Sequence, residues 1–102
     1  MTAMKLKFEK VFLNGYVIYS GENQRIGFIG MINNETIQHI DINMTYLRII
    51  KQYLLNKFLQ ELGRDYIYIV QQNDTPYKYY AELGFKRCSC RNNKRKLKYS
   101  IS

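Results

Sequence analysis

The feature that most constrains this chain is a change of hydrophobic period near residue 45. Before it, short apolar runs alternate with polar residues between turn dipeptides. From 45 to 62, Leu47, Ile50, Leu54 and Phe58 recur three and four apart, flanked by Ile49, Tyr53, Leu55, Leu59 and Leu62. Arg48, Lys51, Gln52, Asn56, Lys57, Gln60 and Glu61 fall between them. This spacing predicts one principal helix, with Asn43 or Thr45 to cap its start and Gly63 to end it. An apolar stripe this wide has to lie on a sheet. Residues 66–70, Tyr-Ile-Tyr-Ile-Val, are short, β-branched and aromatic, and predict a central strand. A strand, a helix and a strand of this length favour a right-handed crossover, so the strands on either side of the helix are expected to be parallel.

The N-terminal half reads as an antiparallel meander. Residues 5–20 alternate or run apolar on both sides of Asn14-Gly15, a dipeptide that readily takes positive φ, which predicts a β-hairpin. A turn at 21–24, a third strand over 25–32, a turn at Asn33-Asn34 and a fourth strand over 36–42 follow. Strict alternation on the fourth strand puts Ile40 and Ile42 on one face and Ile37, His39 and Asp41 on the other. Near the C-terminus, 85–91 and 96–101 predict two further strands around Asn92-Asn93. With a short helix before them, the order is β-β-β-β-α-β-α-β-β, a mixed α/β (α+β) sheet fold expected to form one domain over 1–102.

Composition removes several classes. Hydrophobic residues make up 46% of the chain and aromatics 15%, which excludes a disordered polymer. No apolar run is long enough to cross a bilayer, and the first residues lack the apolar stretch of a secretory signal, so a cytoplasmic chain without a membrane role is expected. Cys88 and Cys90 lie one residue apart on an expected strand, and His39 has no partner at metal-ligand spacing; free reduced thiols and no metal are expected. The net charge of +8 concentrates in Lys86, Arg87, Arg91, Lys94, Arg95, Lys96 and Lys98. Such a cluster suits an acidic protein, nucleic acid or the phosphates of a cofactor, and equally a solvated Lys-rich hairpin.

Residues 73–85 read Asn-Asp-Thr-Pro-Tyr-Lys-Tyr-Tyr-Ala-Glu-Leu-Gly-Phe. Asp74 or Thr75 suits a helix cap, Pro76 the first helical position, and Gly84 the left-handed residue after the last turn. Tyr77, Tyr80 and Ala81 then share one face. An Asn after a strand, a Tyr seven residues later, and Leu83-Gly84-Phe85 closing the helix resemble the C-terminal signature of the GCN5-related N-acetyltransferase (GNAT) superfamily. The strand order resembles that fold over 25–102, with the usual N-terminal helices reduced or absent. The resemblance implies an acyl-CoA-dependent N-acetyltransferase, acting on a protein lysine, a peptide or a small amine. It further implies Asn73 against the pantetheine arm of acetyl-CoA, Tyr80 beside the sulfur as proton donor, and backbone N–H groups at Ile40 and Ile42 as the oxyanion site.

Glu35, His39 and Asp41 are candidate bases. His39 has the ordinary pKa best suited to the task, and water is the alternative. The departure from the family lies in its pyrophosphate loop, written as Gln or Arg, two residues, Gly, one residue, then Gly or Ala. Aligned on Leu54-Leu55, the corresponding residues 46–53 contain no glycine. Ile49 and Lys51, or in the other register Ile50 and Gln52, stand where the glycines should be. Bulk there crowds the phosphates, whereas a helix N-terminus with Arg48 and Lys51 attracts them. A catalytically degenerate fold that uses its basic surface to hold an acidic protein or nucleic acid is therefore the second reading, with a homodimer left open.

Overall fold

The computed structural model describes residues 5–11, 14–88 and 95–101. Among these the order is β1 (Leu6–Val11), β2 (Gly15–Ser20), β3 (Arg25–Asn33), β4 (Thr36–Ile42), α1 (Met44–Ile50), α2 (Leu54–Leu62), β5 (Tyr66–Val70), α3 (Tyr77–Leu83), β6 (Lys86–Arg87) and β7 (Lys96–Ser100). The strands form one sheet in the order β1-β2-β3-β4-β5-β7-β6. All neighbours are antiparallel except β4 and β5, which run parallel across the helical crossover as the period change predicts. The last strand pairs within the chain, along the whole of β5.

The helices lie on one face of the sheet. Phe58 of α2 meets the rings of Phe8 and Tyr16 from β1 and β2, each at 5.2 Å between centroids. The Tyr99 hydroxyl of β7 donates to the side-chain Oδ1 of Asn56 on α2. Arg87, which shares a face with Leu97, stacks on Tyr77 of α3. Between helices and sheet, Ile18, Ile29, Ile37, Ile67, Ile69 and Leu97 meet Leu54, Phe58, Leu59, Leu83 and Phe85 in one core. Each such side chain contributes about 1.5–3 kcal/mol by leaving water. No described helix is long and apolar enough to cross a membrane.

The expected helix over 45–62 is broken. Lys51, Gln52 and Tyr53 form turns, with the Tyr53 N–H donating to Ile50 one residue short of helical spacing. The cause is the phase of the apolar residues. Leu47 and Ile50 point about 80° away from the mean direction of Leu54, Leu55, Phe58 and Leu59 around a straight helix. The break turns both stripes into the core, where Ile50 and Leu54 are fully buried.

Of the two proposed caps, Asn43 acts, accepting from the Thr45 N–H at 2.9 Å. Pro76 occupies the cap position of α3 and Tyr77 opens the helix, one residue later than expected; neither Asp74 nor Thr75 caps it. Gly63 and Gly84 end α2 and α3 at φ +68° and +104°. In each case the next residue donates to the carbonyl five positions back, Arg64 to Leu59 and Phe85 to Tyr80, which closes the helix in a Schellman motif.

Further expectations change in the N-terminal half. Gly15 is not a positive-φ turn residue but the first residue of β2, paired with Val11. It is small because a Cβ there would lie 2.5 Å from the Phe28 ring. The turn before β4 is Asn34-Glu35, bounded by the Asn33 and Thr36 pair. A register shift places Ile37 opposite Met31 and His39 opposite Gly30, so one extra residue bulges from β4. Strict alternation is lost there: Ile37 joins Ile40 and Ile42 toward the core, leaving His39 and Asp41 outside.

At the C-terminal end, Lys86–Arg87 is the strand among the described residues of the expected strand 85–91, with Phe85 and Cys88 outside it. Cys88 is disulfide-bonded, not a free thiol. Cys90, Arg91, Asn92-Asn93 and Lys94, like Phe12 and Leu13 of the first hairpin, lie outside the described residues.

Candidate active site

The parallel strands β4 and β5 hold together only at their start. Thr36 pairs with Tyr68 and Ile37 with Ile69, and the Tyr68 N–H donates to the Glu35 carbonyl at 2.8 Å. Beyond Ile37, β4 continues along β3 to Ile42 while β5 ends at Val70, so the strands part in a V. Asn43 donates its N–H to Ile26 on the β3 side. Strand groups alternate between edges, so the N–H groups of Ile42 and Ile40 face the opposite edge, into the split.

Gln72 spans the mouth. Its side-chain amide donates to the Gln38 carbonyl on one strand and the Val70 carbonyl on the other, both at 3.2 Å. Its own N–H donates to the Tyr80 hydroxyl at 3.0 Å. Tyr80 is 3% exposed, packed edge-on against Tyr79 and Phe85. Accepting the Gln72 N–H occupies one lone pair of the phenol and leaves its proton available to a second partner. Tyr79 stands beside it, half-buried, with its phenol raised above the ordinary value by burial first, then by Tyr80 and by the Asp41 carboxylate. Asp41 itself is exposed and, with Gly27, Phe28 and Asn43, lines a hollow of about 240 Å³ on the β3 side of β4.

The other predicted residues fall in different places. His39 is exposed, its ring 5.6 Å from that of Phe28 and packed over Gly30, where a Cβ would lie 2.7 Å from the imidazole. Glu35 lies at the opposite end of β4, paired with Arg64 at 3.5 Å. Asn73 is exposed in the turn after Gln72. Residues 46–53 do not open the principal helix; they form most of α1 and the break before α2. Arg48 and Gln52 are exposed and Ile49 is 51% exposed, Lys51 is partly buried, and Ile50 lies in the core. Of the two glycine registers, Ile49/Lys51 therefore keeps its bulk away from the core, whereas Ile50 of the other is packed inside it. Helix α2 starts with no side-chain cap, its first intrahelical bond running from Lys57 to Tyr53, so the N–H groups of Leu54, Leu55 and Asn56 have no partner within the helix.

Gln72, Gln38 and Tyr79 were not foreseen. A glutamine just after a strand carries no signature, since its role depends on which carbonyl the splay strips of a partner. Tyr79 neighbours a predicted site residue, but the burial and the charges that raise its phenol come from tertiary packing.

No family model matches the chain, and no curated protein does. Among solved structures it is similar to a GNAT-family acetyltransferase from Listeria monocytogenes 4b F2365, with a TM-score of 0.56 and 13% identity over 86% of this chain and 64% of that one. It is similar to the N-terminal domain of a ribosomal-protein-alanine acetyltransferase from Clostridium acetobutylicum ATCC 824, with a TM-score of 0.50 and 21% identity over 98% and 95% of the two chains. A third likeness is to the PaiA N-acetyltransferase from Thermoplasma acidophilum in complex with coenzyme A, at a TM-score of 0.50 and 15% identity over 85% and 60%. The chain spans less than two thirds of the Listeria and Thermoplasma proteins. The fold is that of the GNAT acetyltransferases.

Proposed function

We propose that this GNAT-fold chain transfers an acetyl group from acetyl-CoA to a primary amine at the split between β4 and β5. The single observation that carries the reading is the parting of these strands beside a buried tyrosine hydroxyl. Acetyl-CoA supplies the thioester. The chain's part is to hold the acyl oxygen, align the amine and return a proton to the departing sulfur. The N–H groups of Ile40 and Ile42 meet the negative charge that develops on the acyl oxygen as the amine nitrogen attacks. The C–S bond then breaks and the Tyr80 proton goes to the thiolate.

Asp41 is favoured over His39 as the group that receives the amine proton, because its carboxylate is exposed and contributes to raising the Tyr79 phenol on α3, whereas His39 packs over Gly30. The uncapped start of α2, with Lys51 and Gln52 in the break before it and Arg48 one turn earlier, fits the diphosphate. Asn73, exposed in the turn after Gln72, fits the pantetheine arm. The amine of a protein or peptide is the acceptor class, by analogy with the Clostridium neighbour, a domain of a ribosomal-protein-alanine acetyltransferase. Isothermal titration with acetyl-CoA, followed by release of free thiol on adding peptide amines, tests the reading. Saturable heat and amine-dependent thiol release are expected; no heat at millimolar acetyl-CoA overturns it.

One observation favours a second reading. The loop that should approach the phosphates is folded into α1 and holds no glycine, which suits a fold that has lost its cofactor and binds an acidic partner. Absence of acetyl-CoA binding together with retention of such a partner would select it.

A further inference from the structure

The face of the sheet turned away from the helices carries a second surface. Strand β5 alternates Tyr66, Tyr68 and Val70 outward with Ile67 and Ile69 inward, and β7 alternates Lys96 and Lys98 outward with Leu97 and Tyr99 inward. An outward strand position is ordinarily polar, yet two of these are tyrosines. Each ring is covered by a cation. Lys96 lies 4.1 Å from the Tyr68 centroid, Lys98 4.9 Å from Tyr66, and Arg64 5.0 Å from Tyr66. Lys86 of β6 is opposite Lys98 and extends the row. Among the described residues the ion pair here is Arg64 with Glu35, and no carboxylate lies within ion-pair distance of Lys86, Lys96 or Lys98. Like charges placed across neighbouring strands repel, so the arrangement gains most from an anionic partner. The buried residues of the three described helices pack with Ile67, Ile69 and Leu97, on the opposite face.

We infer that this outer face of β5, β7 and β6 binds single-stranded nucleic acid, stacking bases on Tyr66 and Tyr68 and holding phosphates with Lys86, Lys96 and Lys98. The alternation decides the class of partner. An acidic peptide would answer the cations but give the rings nothing to stack on, and a duplex would present phosphates while keeping its bases inside. A splayed single strand offers both. A base that takes the face of Tyr68 displaces the Lys96 ammonium from the ring toward the neighbouring phosphate, exchanging a cation–π contact for a stack and an ion pair. The surface lies across the sheet from the helices and stands whichever reading of the split holds.

Fluorescence anisotropy of a labelled short oligouridylate tests it on the full chain, with an RNA duplex of equal length and polyglutamate as competitors. Salt-dependent binding to the single strand is expected, with weaker competition from both. Tyr66→Leu/Tyr68→Leu, which keeps apolar bulk but removes the stacking faces, weakens binding by about tenfold or more, whereas Tyr66→Phe/Tyr68→Phe retains it. Lys96→Gln/Lys98→Gln lowers the slope of log K against log salt by about 1.4, near 0.7 for each phosphate contact. Circular dichroism establishes that each variant is folded. No binding at low salt, equal competition by duplex or polyglutamate, or unchanged affinity of the folded Tyr→Leu variant overturns the inference.

Discussion

Tyr80 bears the most at the level of single residues, because one hydroxyl belongs both to the fold and to the proposed chemistry. Tyr80→Phe removes the acceptor of the Gln72 N–H, which costs about 1 kcal/mol in urea unfolding. It also removes the proton donor, so amine-dependent thiol release is expected to fall by about a hundredfold or more. A variant that loses stability but keeps full turnover would leave Tyr80 a packing residue. Tyr79 gives a pH test of the split. Its phenol is raised in the folded chain by burial, Tyr80 and Asp41, so the unfolded chain releases this proton first as pH rises. The stabilisation is full below the ordinary tyrosine value of about 10 and is lost as pH climbs through the folded value. Urea titrations at neutral and strongly alkaline pH are expected to show a smaller alkaline loss for Tyr79→Phe than for the parent. Tyr80 was legible in the sequence from its spacing to Asn73 and Leu83-Gly84-Phe85, but its partner Gln72 was not, since no local pattern marks a side chain that bridges two parting strands.

Among the elements, the helix ends follow local rules and the helix middle does not. Both terminal glycines adopt left-handed conformations, yet their surroundings differ. At Gly63 nothing lies within 4 Å of an added Cβ, whereas at Gly84 the Tyr99 ring lies 2.7 Å away and φ is +104°. Gly63→Ala is therefore expected to cost about 1 kcal/mol in chemical unfolding and Gly84→Ala roughly 3 kcal/mol; equal losses would refute the packing argument. The break at Lys51, Gln52 and Tyr53 is the element on which cofactor binding turns. Gln52 is exposed and outside both helices, so Gln52→Gly removes bulk beside the α2 N-terminus without opening a helical turn. Tighter acetyl-CoA binding in calorimetry is the expected result, and unchanged or weaker binding would place the diphosphate elsewhere.

For the whole molecule, charge and topology act together. With a net charge of +8, and with Lys86 directly opposite Lys98, self-repulsion opposes folding at low ionic strength. Thermal unfolding is expected to shift upward as salt is raised through the range over which the Debye length shrinks below about 10 Å; a flat or falling midpoint would mean that the clustered cations are already compensated. The sequence by itself determined the strand and helix order, the parallel crossover, the glycine stops and the position of Tyr80. These rest on hydrophobic period and backbone freedom, which act over a few residues. Tertiary structure alone decided that the principal helix breaks, because two apolar stripes out of phase must meet one core. It likewise set the β4 bulge that turns Ile37 to the core beside Ile40 and Ile42, and it joined Gln72 to the Tyr80 hydroxyl and to both strands at the mouth of the split. Those outcomes depend on how far two distant strands stay paired before they part, and no single segment encodes that length.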